Sequence, residues 1–206
     1  NPDRDGYQSR NLGFNVDYAF SPNFSAGGGY LTVRSRSRYD SFQNNSVWDP
    51  VNADLDYMRQ HTTTLTSVHA RYKASANWTS TLRAAEGRDA DDQPSTTEGL
   101  QNDYYRTAQR QYQWQNDIKL PVGRGLILYE RLEQRLDATK TYVLNKRTVD
   151  SYALGWSGRV AASDWQANVR QDRNSQYGVR NSHYLGVGHH LTSWWRVGAG
   201  YGTSFK

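Results

Sequence analysis

The carboxylates near the start of the sequence are the residues best suited to chemistry. Asp3 and Asp5 stand two positions apart, and Gly6 follows them directly. Two carboxylates beside a glycine turn suit a hard cation such as Ca²⁺, which takes about six to eight oxygen ligands. The spacing does not match an EF-hand loop, so further ligands must come from a second loop, for which Tyr39 and Asp40 are candidates. Solvated surface turns are the alternative role for these aspartates.

Other titratable groups are less suggestive. Asp89, Asp91 and Asp92 form a second acidic cluster, which we interpret as part of a solvated loop over residues 86–103. His189 and His190 are adjacent, so in a strand they point to opposite faces and cannot hold one metal together. No HExxH spacing is present. These residues therefore predict no additional metal site.

Nothing in the sequence predicts an enzyme. No GxSxG nucleophile motif occurs, and the pairing of Asp172 with His183 is only a loose match to an acid–histidine dyad. The chain contains no cysteine, which excludes thiol catalysis, disulfides and cysteine-ligated zinc. We therefore expect a protein without catalytic activity.

The net charge of +5 raises nucleic acid as a partner, but the charge pattern argues against it. Basic residues are interleaved with acidic ones, as at Arg88-Asp89 and Asp172-Arg173, and no basic run or recognition helix is present. We predict no nucleic-acid binding. A polar channel lining or lipopolysaccharide headgroups would use the same cations.

The elements that position these residues are strands with two different faces. Over residues 165–206, apolar or aromatic side chains alternate with polar ones or glycines, which is the period-two signature of β-structure. Similar alternation recurs along the chain and predicts about ten strands in five hairpins. The residues predicted to share the apolar face are Leu12 to Phe20, Phe24 to Tyr30, Thr64 to Tyr72 and Trp78 to Ala84 at alternate positions, Leu126, Leu128, Leu132 and Leu136, then Tyr152, Leu154, Trp156 and Val160, and Trp165, Ala167 and Val169.

The connections between these strands are unequal. Short turns alternate with longer polar segments near residues 35–57, 86–103, 137–149 and 173–181. Short turns at one end, longer loops at the other and aromatic residues near both ends are typical of outer-membrane β-barrels. Only 36% of residues are hydrophobic, yet there are 15 Tyr and 7 Trp, which fits strands that are apolar on one face. We therefore predict an all-β fold, an antiparallel transmembrane β-barrel in the bacterial outer membrane.

Four patches of sequence carry a family resemblance. They are NPDRDGY at the start, the Arg38-Tyr39-Asp40 segment, VRQDRNSQYG (Val169–Gly178) and the terminal GYGTSFK. Together they resemble barrel motifs of TonB-dependent outer-membrane transporters, and within that family those that take up cobalamin (vitamin B12). The resemblance extends loosely over the whole chain.

The resemblance implies a larger assembly than the chain itself. Transporters of this family have about 22 strands and a plugged lumen. We therefore expect residues 1–206 to be part of the barrel domain, with Asn1 an internal start and with the plug domain and the segment that engages TonB absent from this sequence. A complete barrel of about ten strands is the alternative. Outer-membrane lipid, lipopolysaccharide and TonB are the expected partners.

The resemblance also implies a substrate and a cofactor. It implies TonB-dependent active transport of a scarce ligand, cobalamin or a related corrinoid, with calcium ordering the extracellular loops. The implied calcium ligands are Asp3, Asp5, Tyr39, Asp40 and Asp56. The loop residues proposed to contact substrate are Tyr39, Trp48, Tyr177 and Arg180. A siderophore or haem receptor, or a passive outer-membrane pore, remains the alternative.

Overall fold

The computed structural model describes residues 6–41, 55–94 and 102–204, which form one antiparallel sheet of ten strands. Each strand pairs with the next in sequence, so the sheet is a succession of hairpins. The strands are β1 (Tyr7–Ser21), β2 (Phe24–Ser41), β3 (Leu55–Ser75), β4 (Trp78–Gln93), β5 (Asp103–Lys119), β6 (Arg124–Ala138), β7 (Lys146–Val160), β8 (Ser163–Asn174), β9 (Gly178–His190) and β10 (Arg196–Gly202). The predicted all-β fold and the number of strands are confirmed.

Tight turns close the hairpins at one end of the sheet. In the β1–β2 turn, the hydroxyl of Ser21 accepts hydrogen bonds from the backbone N–H groups of Asn23 and Phe24 at 3.2 and 3.0 Å. In the β5–β6 turn, Gly123 has a φ of 82°, a conformation that glycine adopts without steric cost. A Cβ there would lie 2.1 Å from the carbonyl oxygen of Ser157. Local turn chemistry thus fixes where each strand reverses.

The register of the strands sorts the side chains into two faces. Residues paired across strands share a face, and successive residues of one strand alternate between faces. We call one side the apolar face. Its side chains include Leu12, Phe14, Val16, Tyr18, Tyr30, Val68, Tyr72, Trp78, Leu82, Tyr112, Trp114, Ile127, Tyr129, Leu154, Trp156, Trp165, Val169, Leu185, Val197 and Tyr201.

The predicted face of β6 is wrong. Leu126 and Leu128 are paired with Asp117 and Gln115, on the opposite side from the apolar face, and Leu132 and Leu136 follow the same alternation. The apolar face is continued in β6 by Ile127 and Tyr129, which are register partners of Asn116 and Trp114. Glu130 therefore lies on the opposite side from the apolar face, in regular alternation with these leucines, and the pairing of β5 with β6 shows no bulge.

Several strands also extend further than predicted. β4 continues to Gln93, so Asp89, Asp91 and Asp92 lie in a strand and not in a loop. The connections at 137–149 and 173–181 shorten to residues 139–145 and 175–177. Strand pairing continues beyond the apolar residues because charged side chains there have partners on neighbouring strands. The polarity of these segments had suggested that they were loops.

The sheet has two edges within the described part of the chain. β1 pairs only with β2, and β10 pairs only with β9. Each edge strand thus leaves one row of backbone donors and acceptors unpaired there. Among the residues described, no helix is long and apolar enough to cross a membrane. The expected total of about 22 strands stays a prediction.

Candidate functional site: the polar face of the sheet

The face opposite the apolar one, which we call the polar face, carries a hydrogen-bonded network at its centre. Arg170 on β8 donates from Nε to Asp172 at 2.9 Å, and from Nη2 to Glu130 on β6 at 3.3 Å. The same Nη2 donates to the hydroxyl of Ser151 on β7 at 2.8 Å. Gln111 on β5 donates to the second oxygen of Glu130 at 2.7 Å. One guanidinium therefore links three strands, and Gln111 adds a fourth.

This network contains a fully buried hydroxyl, which distinguishes it from the other ion pairs among the described residues. Ser151 is 1% exposed, and its hydroxyl donates to Asp172 at 2.5 Å. The side chain of Glu130 is 18% exposed, whereas that of Arg170 is 37% exposed. Polar groups withdrawn from water are costly unless they are hydrogen-bonded, and here each charge has a partner of opposite sign. We call this set of residues (Gln111, Glu130, Ser151, Arg170, Asp172) the Arg170 network.

A second polar cluster lies at the tight-turn end of the same face. Asp164, which follows the β7–β8 turn, accepts hydrogen bonds from Arg159 at 2.6 Å and from His190 at 2.9 Å. Arg196 on β10 lies 3.4 Å from the same carboxylate. Three neighbouring strands thereby share one acidic residue, which holds the hairpins β7–β8 and β9–β10 together at their turns.

Further pairs continue along the polar face through β1, β3 and β4. His69 lies 2.9 Å from Asp17, and His61 lies 3.0 Å from Asp89, which also accepts a hydrogen bond from Thr63 at 2.8 Å. Much of the charge on the polar face is thus paired, whereas Arg71 and Arg83 on the same face have no ion pair among the described residues. The face suits contact with water or with a polar protein segment.

The structure describes only part of the predicted calcium site. Asp3 and Asp5 lie outside the described residues. Tyr39 and Asp40 lie in β2 and Asp56 lies in β3, where the register makes Asp40 and Asp56 direct partners across the two strands. Within residues 6–41, 55–94 and 102–204, no group of three or more His, Asp or Glu side chains could hold a metal ion.

The predicted substrate contacts do not converge on one place. Trp48 lies outside the described residues. Tyr177 is exposed in the short turn between β8 and β9, whereas Arg180 lies in β9 as the register partner of Asp172. Tyr39 lies on β2, at the other side of the sheet. The structure therefore does not bring these residues together among those it describes.

The second acidic cluster is engaged by neighbouring strands. Asp91 pairs with Arg59 of β3, and Asp92 accepts a hydrogen bond from Arg106 of β5 at 2.7 Å. Asp172 and His183 do not meet, because Asp172 lies on the polar face and His183 on the apolar face. His189 and His190 contact Ser163 and Asp164 respectively, on opposite faces as expected.

Alternation with the predicted apolar positions Trp165, Ala167 and Val169 places Arg170 and Asp172 on the opposite face, but no local pattern points to Glu130 and Ser151 as their partners. Glu130 lies 40 positions from Arg170 in sequence. A local signal existed, because a glutamate amid alternating leucines indicates a position with a partner. The identity of that partner depends on strand register, which the local sequence does not reveal.

The fold and the polar face together define a class: an antiparallel sheet with one exposed apolar face and one hydrogen-bonded polar face. No protein-family model matches the chain. Among solved structures, the chain is similar to the translocator domain of autotransporter NalP from Neisseria meningitidis. The identity is 12% and the TM-score is 0.42, over 95% of this chain and 73% of the other. Similarity at this level adds nothing to arguments from the chain's own residues.

Proposed function

We propose that this chain forms part of a β-barrel in the bacterial outer membrane. The observation that carries the proposal is the exposure of the apolar face. Leu12, Phe14, Val16 and Tyr18 are each 57–62% exposed, and Leu154 is 55% exposed. Contiguous apolar surface of this kind marks an interaction or membrane surface. The alternating apolar residues from Leu12 to Phe20 span about 27 Å along the strand at ~3.4 Å per residue, which at a tilt of about 35–45° rises about 19–22 Å, most of the ~25 Å apolar band of such barrels.

The aromatic residues and connections support the same proposal. Trp78, Trp156 and Trp165 lie near the tight turns, while Tyr129 and Tyr152 lie further along the apolar face, 5.2 Å apart between ring centroids. A girdle of aromatic residues at the boundary next to short turns is a feature of outer-membrane barrels. By this topology the tight turns face the periplasm, and the longer connections face outside.

Two single-cysteine variants test this placement, because the sequence contains no cysteine of its own. Leu154→Cys and Ser157→Cys lie on the apolar and polar faces of β7. Spin labels attached at these two positions in the intact, membrane-reconstituted protein are expected to differ in the reagent with which they collide. The label at 154 should collide mainly with dissolved oxygen, and the label at 157 mainly with a water-soluble nickel chelate. Equal access of the nickel chelate to both positions would overturn the membrane placement.

We further propose that the barrel serves TonB-dependent uptake of a scarce ligand, cobalamin or a related corrinoid. The resembling segment VRQDRNSQYG supports this proposal through its position. It supplies Arg170 and Asp172 to the polar face and then forms the β8–β9 turn on the outer side. A polar face on which most carboxylates are paired suits a plug domain that TonB displaces. Siderophore or haem uptake, or a passive pore, would use the same framework.

Calcium is the proposed cofactor of the outer connections. Asp40 and Asp56 are backbone register partners, at the end of β2 and the start of β3. The register thus places two of the proposed ligands on neighbouring strands, and Asp3, Asp5 and Tyr39 are the further proposed ligands of a divalent cation there.

The substrate proposal is tested by calorimetric titration of cyanocobalamin into the intact, detergent-solubilised protein. We expect saturable binding that weakens at least about tenfold when calcium is chelated. The Asp40→Asn plus Asp56→Asn variant should bind with the weakened affinity whether calcium is present or not. Arg83→Gln on the polar face is the control and should bind normally. Absence of cobalamin binding in the folded protein would exclude the corrinoid proposal and leave the alternatives.

A further inference from the structure

The apolar face carries a charged extension beyond its apolar residues, toward the longer connections. At its centre lies Ala108 on β5. Its register partners are Arg88 on β4 and Arg135 on β6, and Arg106 and Arg110 are its neighbours two positions away along β5. Residues two apart on a strand share a face, so four arginines surround one small side chain. The alanine leaves a depression of about 640 Å³ between them.

The charge in this depression is not balanced internally. On this side it is lined by five cations, the four arginines and Lys146, and by the carboxylates of Glu86, Glu133 and Asp137. Asp92, just outside this lining, pairs with Arg106 at 2.7 Å, so the excess positive charge lies on Arg135 and Lys146. The side chains of Arg88, Arg106 and Arg110 are 66%, 54% and 53% exposed. The depression therefore offers guanidinium groups to an anion from solution.

The arginines differ in how far they are already engaged. Glu86 serves two of them, at 2.7 Å from Arg88 and 3.6 Å from Arg110. Arg135 and Lys146, which are register partners, have no ion pair in the part of the chain that the structure describes. Arg135 is therefore free to bind an oxyanion over Ala108, and a planar guanidinium suits bidentate contact with phosphate.

The depression continues into a groove that leads to the apolar band. A second hollow of about 490 Å³ shares Arg88 and Arg110 with the first and reaches Ala84 and Tyr112. A third, of about 670 Å³, shares Ala84 and Tyr112 with the second and is lined further along by Ala70, Leu82 and Trp114. The groove is cationic at one end, and at the other end it is lined by alanines between larger apolar side chains. This arrangement is complementary to an amphiphile with an anionic headgroup.

We propose that this groove binds a phosphorylated lipid of the outer leaflet, with a phosphate over Ala108 and an acyl chain along Ala84 and Ala70. The proposal rests on the membrane placement given above. Ala108 lies six positions from Trp114 along β5, about 20 Å at ~3.4 Å per residue. On a strand tilted from the membrane normal, this distance places Ala108 in the headgroup zone outside the hydrocarbon core, where basic residues meet anionic lipid.

The chemistry excludes two simpler ligands. A free phosphate would use the arginines but not the groove below them. A neutral lipid would use the groove but leave the excess positive charge of Arg135 and Lys146 without a counterion. A lipid with a phosphate on its headgroup satisfies both ends, so its affinity should exceed that of either part.

Native mass spectrometry of the intact protein in a phosphate-free detergent tests the proposal. The probes are diphosphorylated lipid A, a diacylglycerol without phosphate, and inorganic phosphate. We expect the Arg88→Gln plus Arg135→Gln variant to bind lipid A at least about tenfold more weakly, and Ala84→Phe, which fills the groove, about fivefold more weakly. Arg71→Gln plus Lys73→Gln removes the same charge from the polar face, outside all three hollows, and should stay within about twofold of the native protein.

Each outcome decides the proposal. Equal affinity for inorganic phosphate and lipid A would reduce the site to an anion site and overturn the lipid assignment. Equal loss in the arginine variant and its polar-face control would show an unspecific charge effect. The spin-label measurement on β7 reports the membrane placement independently, so a failure of lipid binding is separable from a failure of the barrel proposal.

Discussion

Replacing Arg170 by methionine is expected to lower the free energy of unfolding by about 2–3 kcal/mol. The substitution keeps the side-chain volume but removes the partner shared by Glu130, Ser151 and Asp172. Removing one member of a buried ion pair costs ~3–5 kcal/mol. The carboxylates here are 18% and 26% exposed, which lets water compensate part of that loss. Urea unfolding of the intact protein in lipid bilayers, followed by tryptophan fluorescence, measures the change.

Two variants make this result specific. Arg83→Met removes a cation from the same face and has no ion pair among the described residues, so it should cost under about 0.5 kcal/mol. Adding Glu130→Gln and Asp172→Asn to Arg170→Met should recover part of the lost stability, because the uncompensated charges are then gone. Equal stability of the Arg170 and Arg83 variants would mean that the network contributes nothing to folding.

Replacing Leu154 by arginine is expected to lower the free energy of unfolding by a similar amount, for a different reason. Leu154 lies between Tyr152 and Trp156 on the apolar face, with Ile127 and Val169 as its register partners. An arginine on the lipid face at the middle of the bilayer destabilises a barrel by about 2–4 kcal/mol. We expect the Leu154→Arg variant to unfold at lower urea concentration and to accumulate less in the outer membrane.

The control for this prediction is Gln166→Arg, on the polar face of the neighbouring strand β8. It introduces the same side chain without exposing it to lipid, so its unfolding should stay within about 0.5 kcal/mol of the native protein. A similar loss of stability in the Leu154→Arg and Gln166→Arg variants would argue that neither face contacts lipid. A loss at Gln166 alone would assign the lipid contact to the other face.

In the proposed membrane placement, the sheet must meet two requirements. The apolar face has to be stable in lipid, and the polar face has to remain ordered without an apolar core to pack against. In this protein, cross-strand ion pairs meet the second requirement along the length of the polar face, from Asp91–Arg59 to Asp164–Arg159. Such a lining can contact water while most of its carboxylates stay paired.

Local sequence determined the strands and most of their faces. Alternation with a period of two is a property of neighbouring residues, and it correctly placed Leu12 to Phe20, Trp78 to Ala84 and Trp165 to Val169. Turn residues such as Pro22-Asn23 and Gly123 marked where hairpins reverse. These features are decided within a few residues of the chain, so the sequence by itself predicted an all-β sheet with one apolar face.

Only the tertiary structure decided the face of β6, because apolar residues occupy both of its faces. Leu126 and Leu128 compete there with Ile127 and Tyr129, and pairing with Trp114 on β5 selects the second set. The ion pairs were equally beyond local pattern. Glu130 and Arg170 meet only because the hairpins between them fix the register of β6, β7 and β8. Alternation tells which side a residue faces, whereas its partner depends on register, and register is set by the whole sheet.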